Sequence, residues 1–174
     1  MSKRIFLVFL LFSLAQVNLQ AQKSLKVWIV RHAEKDTSDV KDKDPDLSMQ
    51  GKQRAEALMK LLKGQKIDSI FSTNYKRTKL TGFPLADKIG ITIKTYSPSQ
   101  KAELVKNLKM NAAGKHILIV GHSNTILELI EAFGAQRPLA QIKDDEYGYI
   151  FLLTIKGDKV DVKVDKYGAK VGVE

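Results

Sequence analysis

Four short runs of β-branched and apolar residues, separated by segments of helical character and punctuated by glycine, constrain this chain more than any other feature. Residues 27–30, 67–71, 91–95 and 116–120 are near-continuous apolar stretches, as expected of strands covered on both faces. Gly64, Gly90, Gly114 and Gly134 each close a helical segment, and the first three stand just before a run or shortly ahead of one, where left-handed caps commonly sit. Ala55, Leu58, Met59 and Leu62 repeat at i, i+3, i+4, i+7, and so do Ile126, Leu129, Ile130 and Phe133, marking two amphipathic helices. Thr125 and Glu128 have the spacing of a capping box at the start of the second. Gly82 and Pro84 interrupt residues 77–89, which predicts a kink or two consecutive helical pieces. Residues 149–155 and 160–164 flank a KGDK turn and read as a hairpin. The order predicts an α/β three-layer sandwich: a mainly parallel central sheet, helices on both faces, and a C-terminal β-hairpin.

Composition narrows the chemistry. The chain has 174 residues, 44% of them hydrophobic, and no Cys, enough for one domain with its own core. Without cysteine there is no thiol catalysis, no Cys-ligated zinc and no iron–sulfur cluster. Residues 1–21 stand apart. Lys3 and Arg4 precede an apolar run over residues 5–14, then a more polar stretch ending at Ala21. This reads as a signal peptide, because about ten apolar residues fall short of the roughly 20 that span a bilayer as a helix. The expectation is an exported protein, periplasmic or secreted, with no stable membrane anchor after cleavage and one domain over residues 22–174. Removing Lys3 and Arg4 lowers the net charge from +10 to +8. A surface of that sign attracts anions. Since no basic block interleaves with aromatics, a nucleic-acid module is not expected.

In parallel sheets, ligands bind beyond the carboxyl ends of the strands. Those ends carry Arg31 and His32 after the first run, Arg77 six residues past Phe71, and Gly121, His122, Ser123 and Asn124 after the fourth. Two arginines and two histidines therefore converge on one rim. Guanidinium forks match the oxygens of a tetrahedral phosphate. A neutral imidazole offers a nucleophilic nitrogen, and a neighbouring imidazolium adds positive charge where the transition state needs it. That set suffices for phosphoryl transfer with no metal and no cofactor. His116, beside Lys115 at a strand entrance, reads as a surface residue. The connection over residues 33–47, nine of its fifteen residues charged, leaves directly from the first strand end; a loop of that length is either a functional flap or mobile.

VWIVRHAEK resembles the RHG signature of the histidine phosphatase superfamily, with Ala33 where glycine is usual. Leu47, Ser48 and Gly51, followed by Arg54 and Ala55, are similar to that family's L-T-x-x-G-x-x-Q-A run. Ser72 with Arg77 and Thr81 resembles its S-x-x-x-R-x-x-x-T stretch with one extra residue before the arginine, and IVGHSN resembles its V-x-H-x-N element. The resemblance implies that His32 is the nucleophile, with Arg31, Arg77 and His122 completing the pocket. Asn124 and the backbone near Ser123 would add hydrogen bonds from a helix start that favours an anion.

The general acid is the open position. Ser123 stands where phytase-like members have Asp. Glu103, the nearest match to a mutase-like glutamate, falls in a helical stretch and reads as solvated. Glu34, two residues past the nucleophile, is the better placed candidate, with Asp36 and Asp39 behind it. A site without a strong acid favours good leaving groups such as phosphoramidates or acyl phosphates. The chain leaves no room for the capping insertions of mutases, so the expectation is a metal-independent phosphatase acting on a phosphorylated anion, with an open mouth suited to a bulky carrier. Two alternatives stand beside it: a phosphate-binding or regulatory module on the same fold, and a phosphohistidine protein phosphatase.

Overall fold

The computed structural model describes residues 23–168. The leader expected over residues 1–21 lies outside them. Six strands form one sheet: β1 (Leu25–Arg31), β2 (Ser69–Ser72), β3 (Ile93–Thr95), β4 (His116–Gly121), β5 (Tyr149–Lys156) and β6 (Lys159–Lys166), in the order β3-β2-β4-β1-β5-β6. The first four run parallel, while β5 and β6 are antiparallel. The sheet is thus mainly parallel and ends in the expected hairpin.

Four helices cover it: α1 (Met49–Leu62), α2 (Lys76–Ile89), α3 (Lys101–Asn111) and α4 (Ser123–Ala132). Alternation along the strands sends successive side chains to opposite faces. Val27, Ile29, Ile117 and Ile119 pack with Val105, Leu108, Ile126 and Ile130 of α3 and α4. Trp28, Val30, Leu118 and Val120 pack with Leu58, Leu62, Leu85 and Ala86 of α1 and α2. This double covering is why the strands read as unbroken apolar runs rather than alternating ones.

Local details depart from the sequence reading in three places. Residues 76–89 form one continuous helix with Pro84 inside it, not two pieces. Its Thr81, Gly82, Leu85 and Ala86 are buried, and that packing outweighs the hydrogen bond the proline forfeits. Gly64 is not a left-handed cap: the chain turns on from Lys63 in the right-handed region, and Lys66 takes the positive φ of 53° instead. Helix α4 begins at Ser123, so Thr125 lies inside its first turn rather than capping it, and Glu128 pairs with Lys101 at 2.9 Å.

The segment after β1 is seated on α1 by the run from Leu47 to Ala55. Ser48 donates its amide to the Glu34 carbonyl at 2.9 Å, and its hydroxyl accepts from the Gly51 amide at 3.1 Å, capping the helix. A Cβ on Gly51 would stand 2.1 Å from the Glu34 carbonyl oxygen, so only glycine allows the approach. Arg54 then grips the Glu34 carboxylate, Nε at 2.9 Å from both oxygens and Nη2 at 2.7 Å from one, while Nη1 donates to the Tyr167 carbonyl at 2.8 Å. One buried ion pair ties the exit of β1, helix α1 and the end of β6. Removing one partner strands the other charge in the interior, so Arg54→Met should lower unfolding stability by about 3–5 kcal/mol. Adding Glu34→Leu should recover most of that loss. Urea titrations of the single and double variants check this, and additive losses would contradict it.

Candidate active site

The parallel pairing of β1 with β4 sets Arg31 opposite Gly121, and the His32 amide donates to the Gly121 carbonyl at 2.9 Å. The next residue on each strand is a histidine. Their rings meet edge to face with centroids 5.3 Å apart. Gly121 is required here, since a Cβ would come within 2.8 Å of Ile126 and 3.0 Å of the Tyr96 hydroxyl.

His32 is 6% exposed, and its Nδ1 lies 2.8 Å from its neighbour's carbonyl, that of Ala33. A carbonyl only accepts, so Nδ1 carries the proton and Nε2 keeps its lone pair. The Ala33 amide donates to the Thr81 hydroxyl at 2.8 Å, and that hydroxyl donates to the Arg77 carbonyl at 2.7 Å. Thr81 thereby locks the first turn of α2, which carries Arg77, to the backbone just after His32. This gives the threonine of the sequence pattern its physical purpose.

His122 is oriented by a chain of hydroxyls. Thr78 Oγ1 lies within 3.0 Å of the Thr73 carbonyl and 2.9 Å of the Tyr75 carbonyl, so its single proton is directed to a carbonyl. The Thr73 hydroxyl therefore donates to Thr78 Oγ1 at 2.9 Å and accepts from His122 Nε2 at 2.8 Å. Thr73 was not singled out in the sequence. Ser72, which was, is fully buried and hydrogen-bonds the Thr73 carbonyl at 2.9 Å. Counting from Thr73 instead of Ser72 gives a hydroxyl, three residues, Arg77, three residues and Thr81, and the extra residue disappears.

A cleft of about 380 Å³ is lined by His32, Tyr75, Arg77, Pro98, His122, Ser123, Asn124 and Thr125. His32, Arg77, His122, Ser123 and Asn124 are thus brought together as the sequence predicts. Tyr75, which sequence reasoning missed, packs its ring edge-on against His122 at 5.1 Å, with the Arg77 guanidinium 4.3 Å above it. Arg77 also meets Asp44 of the charged loop at 3.5 Å, and that carboxylate accepts from the Lys76 amide at the start of α2.

Arg31 sits differently. It is 6% exposed, does not line the cleft, and directs Nη1 to the carbonyls of Lys143 at 2.8 Å and Glu146 at 3.2 Å. Glu34 is not placed to be a general acid: its carboxylate is held by Arg54 and lines no part of the cleft. Asp36 and Asp39 are exposed and cap turns of their own loop through Ser38 and Lys41. Glu103 is exposed on α3, as its sequence setting suggests. Among the described residues, then, no carboxylate lines the cleft.

Burial and cationic neighbours act together on the two rings. Desolvation, opposed by the hydrogen bond to Ala33 and assisted by the charges of Arg31, His122 and Arg77, depresses the His32 pKa to about 3. Desolvation, then Arg77 and Arg31, depresses that of His122 to about 4. Both rings are neutral at physiological pH, and the fixed positive charge comes from the guanidinium groups. Among the described residues, no three His, Cys, Asp or Glu side chains are grouped so as to hold a metal ion.

The family model of the histidine phosphatase superfamily, branch 1, matches residues 27–97. No curated protein sequence matches the chain. Among solved structures, the chain is similar to mycobacterial glucosyl-3-phosphoglycerate phosphatase Rv2419c, at 14% identity and a TM-score of 0.61 over 85% of this chain and 100% of that one. It is similar to the protein histidine phosphatase SixA complexed with tungstate, at 15% identity and a TM-score of 0.65 over 81% and 96%. A phosphoserine phosphatase from Entamoeba histolytica, solved with phosphoserine, matches at 15% identity and a TM-score of 0.63 over 82% and 96%. At these identities the structures speak for the fold alone. With paired histidines at the ends of β1 and β4, and Arg77 and Thr81 in register beside them, the chain is similar to the histidine phosphatase superfamily, whose family model matches residues 27–97.

Proposed function

We propose that this chain is an exported, metal-independent phosphatase that works through a phosphohistidine on His32. The observation that carries the reading is the His32 ring itself: buried, neutral, its proton committed to the Ala33 carbonyl, and its second nitrogen unprotonated beside His122 and Arg77. In the first step the Nε2 lone pair attacks phosphorus, and the leaving atom departs with the electron pair of its bond to phosphorus. The Nδ1–H bond to Ala33 then stabilises the positive charge the phosphorylated ring acquires. In the second step water attacks the same phosphorus, the N–P bond breaks, its electrons return to Nε2, and inorganic phosphate leaves. Arg77 supplies fixed charge for the phosphoryl oxygens, and the start of α4 at Ser123 and Asn124 adds the positive end of a helix. Export rests on the leader pattern in residues 1–21.

The substrate class follows from the absence of a carboxylate on the cleft wall. Protonating a poor leaving group contributes roughly 10²–10⁴-fold when an acid is in reach. A site without one works best on phosphoramidates, acyl phosphates and aryl phosphates, whose leaving atoms tolerate the charge or carry their own proton. The similarity to SixA, a protein histidine phosphatase, favours a phosphoramidate carried on a protein, and the open cleft suits a bulky carrier. The competing reading, a binding module without catalysis, has only Ala33 in place of glycine and the missing acid in its favour.

One assay tests the reaction and the leaving-group preference together. With purified protein and a chelator, kcat/KM should be about 100-fold higher for an aryl phosphate than for an alkyl phosphate. His32→Ala should lower aryl phosphate turnover by about three orders of magnitude or more. Retention of more than a few per cent of activity in that variant would overturn the nucleophile. Equal rates on the two esters would overturn the substrate class.

The charge state has its own check. Because the folded rings take up protons only near pH 3 and 4, NMR titration of assigned imidazole resonances should show His32 changing at about 3 and His122 at about 4. Neither should move through the ordinary histidine range near 6.5. Titration of His32 near 6.5 would mean that the ring is protonated over much of the slightly acid range and could not serve as described.

A further inference from the structure

Arg31 is buried, positively charged and only partly satisfied. Its Nη1 is shared between two carbonyls, while Nε is buried with no hydrogen-bond partner among the described residues. A charged donor left unpaired in the interior is costly, and this charge acts on the site from behind, lowering the pKa of both His32 and His122. What fixes the guanidinium plane is the connection between α4 and β5. Its residue Ile142 is buried in the core, and the next four residues form a turn in which the Glu146 amide donates to the Lys143 carbonyl at 3.1 Å. The Glu146 carboxylate closes that turn from the other side, accepting the Lys143 amide at 3.0 Å on one oxygen and the Tyr149 hydroxyl at 3.3 Å on the other. The two carbonyls so presented are those that receive Arg31. The Tyr147 ring covers the guanidinium at 4.1 Å and stands 5.9 Å from the His32 ring.

We propose that Glu146 is a positioning residue for phosphoryl binding: by closing the turn over residues 143–146, it holds two carbonyls and the Tyr147 face against Arg31 and fixes that buried positive charge behind the two histidines, where it favours an anion in the cleft. This rests on the phosphatase reading for its meaning in turnover but not for its measurement, which is anion affinity. Arg31 and Lys143 are 112 residues apart in sequence, and Glu146 touches neither histidine in any hydrogen bond the structure holds. Arg31 loses much of its solvation by burial, which pulls its pKa down, while Tyr147, Asp144, Glu34 and Asp145 push the other way. The turn therefore also keeps acidic groups close enough to sustain the buried charge.

The test is a double-mutant cycle read by calorimetry with inorganic phosphate and vanadate on the folded protein. Glu146→Ala should weaken both affinities about tenfold, the change expected from losing roughly 1.4 kcal/mol of binding. Glu146→Gln, which keeps an acceptor for the Lys143 amide, should stay within about threefold of wild type, as a positioning role requires. In an Arg31→Met background, Glu146→Ala should have no further effect, because the residue it positions is gone. Full additivity, or unchanged affinity in Glu146→Ala, overturns the proposal. Should Glu146→Ala not fold, Tyr147→Ala replaces it in the same cycle, with the same loss expected and the same results counting against it. In turnover, Glu146→Ala should raise KM for an aryl phosphate with kcat changed less than threefold. A protein that binds phosphate through this turn but turns over nothing would sink the phosphatase reading and leave the proposal standing.

Discussion

The hydrogen bond from the His32 amide to the Gly121 carbonyl closes the β1–β4 pair at the edge where both histidines leave the sheet. Everything at the site depends on it. It fixes the two ring-bearing residues at the ends of adjacent parallel strands, and each ring is then aimed by a short local contact: Ala33 for His32, the Thr73 hydroxyl for His122. Because the strands are buried on both faces, neither end can shift without repacking two cores. The two histidines are therefore placed by the register of strands packed on both faces.

Around that axis cations and hydroxyls face the two histidines, while the nearby carboxylates are engaged by cations or backbone amides. Glu34, the carboxylate nearest His32 in sequence, is held by Arg54; Asp44 serves Arg77 and the start of α2. The consequence is electrostatic. Burial, added to positive charge from Arg31 and Arg77, keeps both imidazoles unprotonated, so the proposed attack by His32 Nε2 needs no partner base. The same arrangement attracts phosphate and leaves little to protonate a leaving group. The proposed nucleophile and the proposed leaving-group preference thus rest on one distribution of charge.

Sequence made the layer architecture legible, because double burial writes strands as unbroken apolar runs and the glycines mark most of the helix ends. It also exposed the residues that follow strand ends, namely His32, Arg77, His122, Ser123 and Asn124. What it hid depends on tertiary placement. Glu34 looks like an acid from its position two residues after His32, and only the fold brings Arg54 to it. Thr73 was obscured by Ser72 beside it, although the three-residue spacing to Arg77 was available as a signal. Tyr147 and the turn ending at Glu146 reach Arg31 across more than a hundred residues, with no local pattern to announce them. Helix α2 runs through Pro84 because buried neighbours outweigh one lost backbone bond.

The most direct measurement is to quench the protein in alkali during steady turnover of an aryl phosphate and map the labelled peptide by mass spectrometry, alkali being chosen because phosphohistidine is destroyed by acid. The account predicts a single phosphoryl group on the peptide containing His32, absent from His32→Ala and lost on chase with unlabelled substrate. Turnover with no label on that histidine, or with label on His122 or on a carboxylate instead, would contradict it.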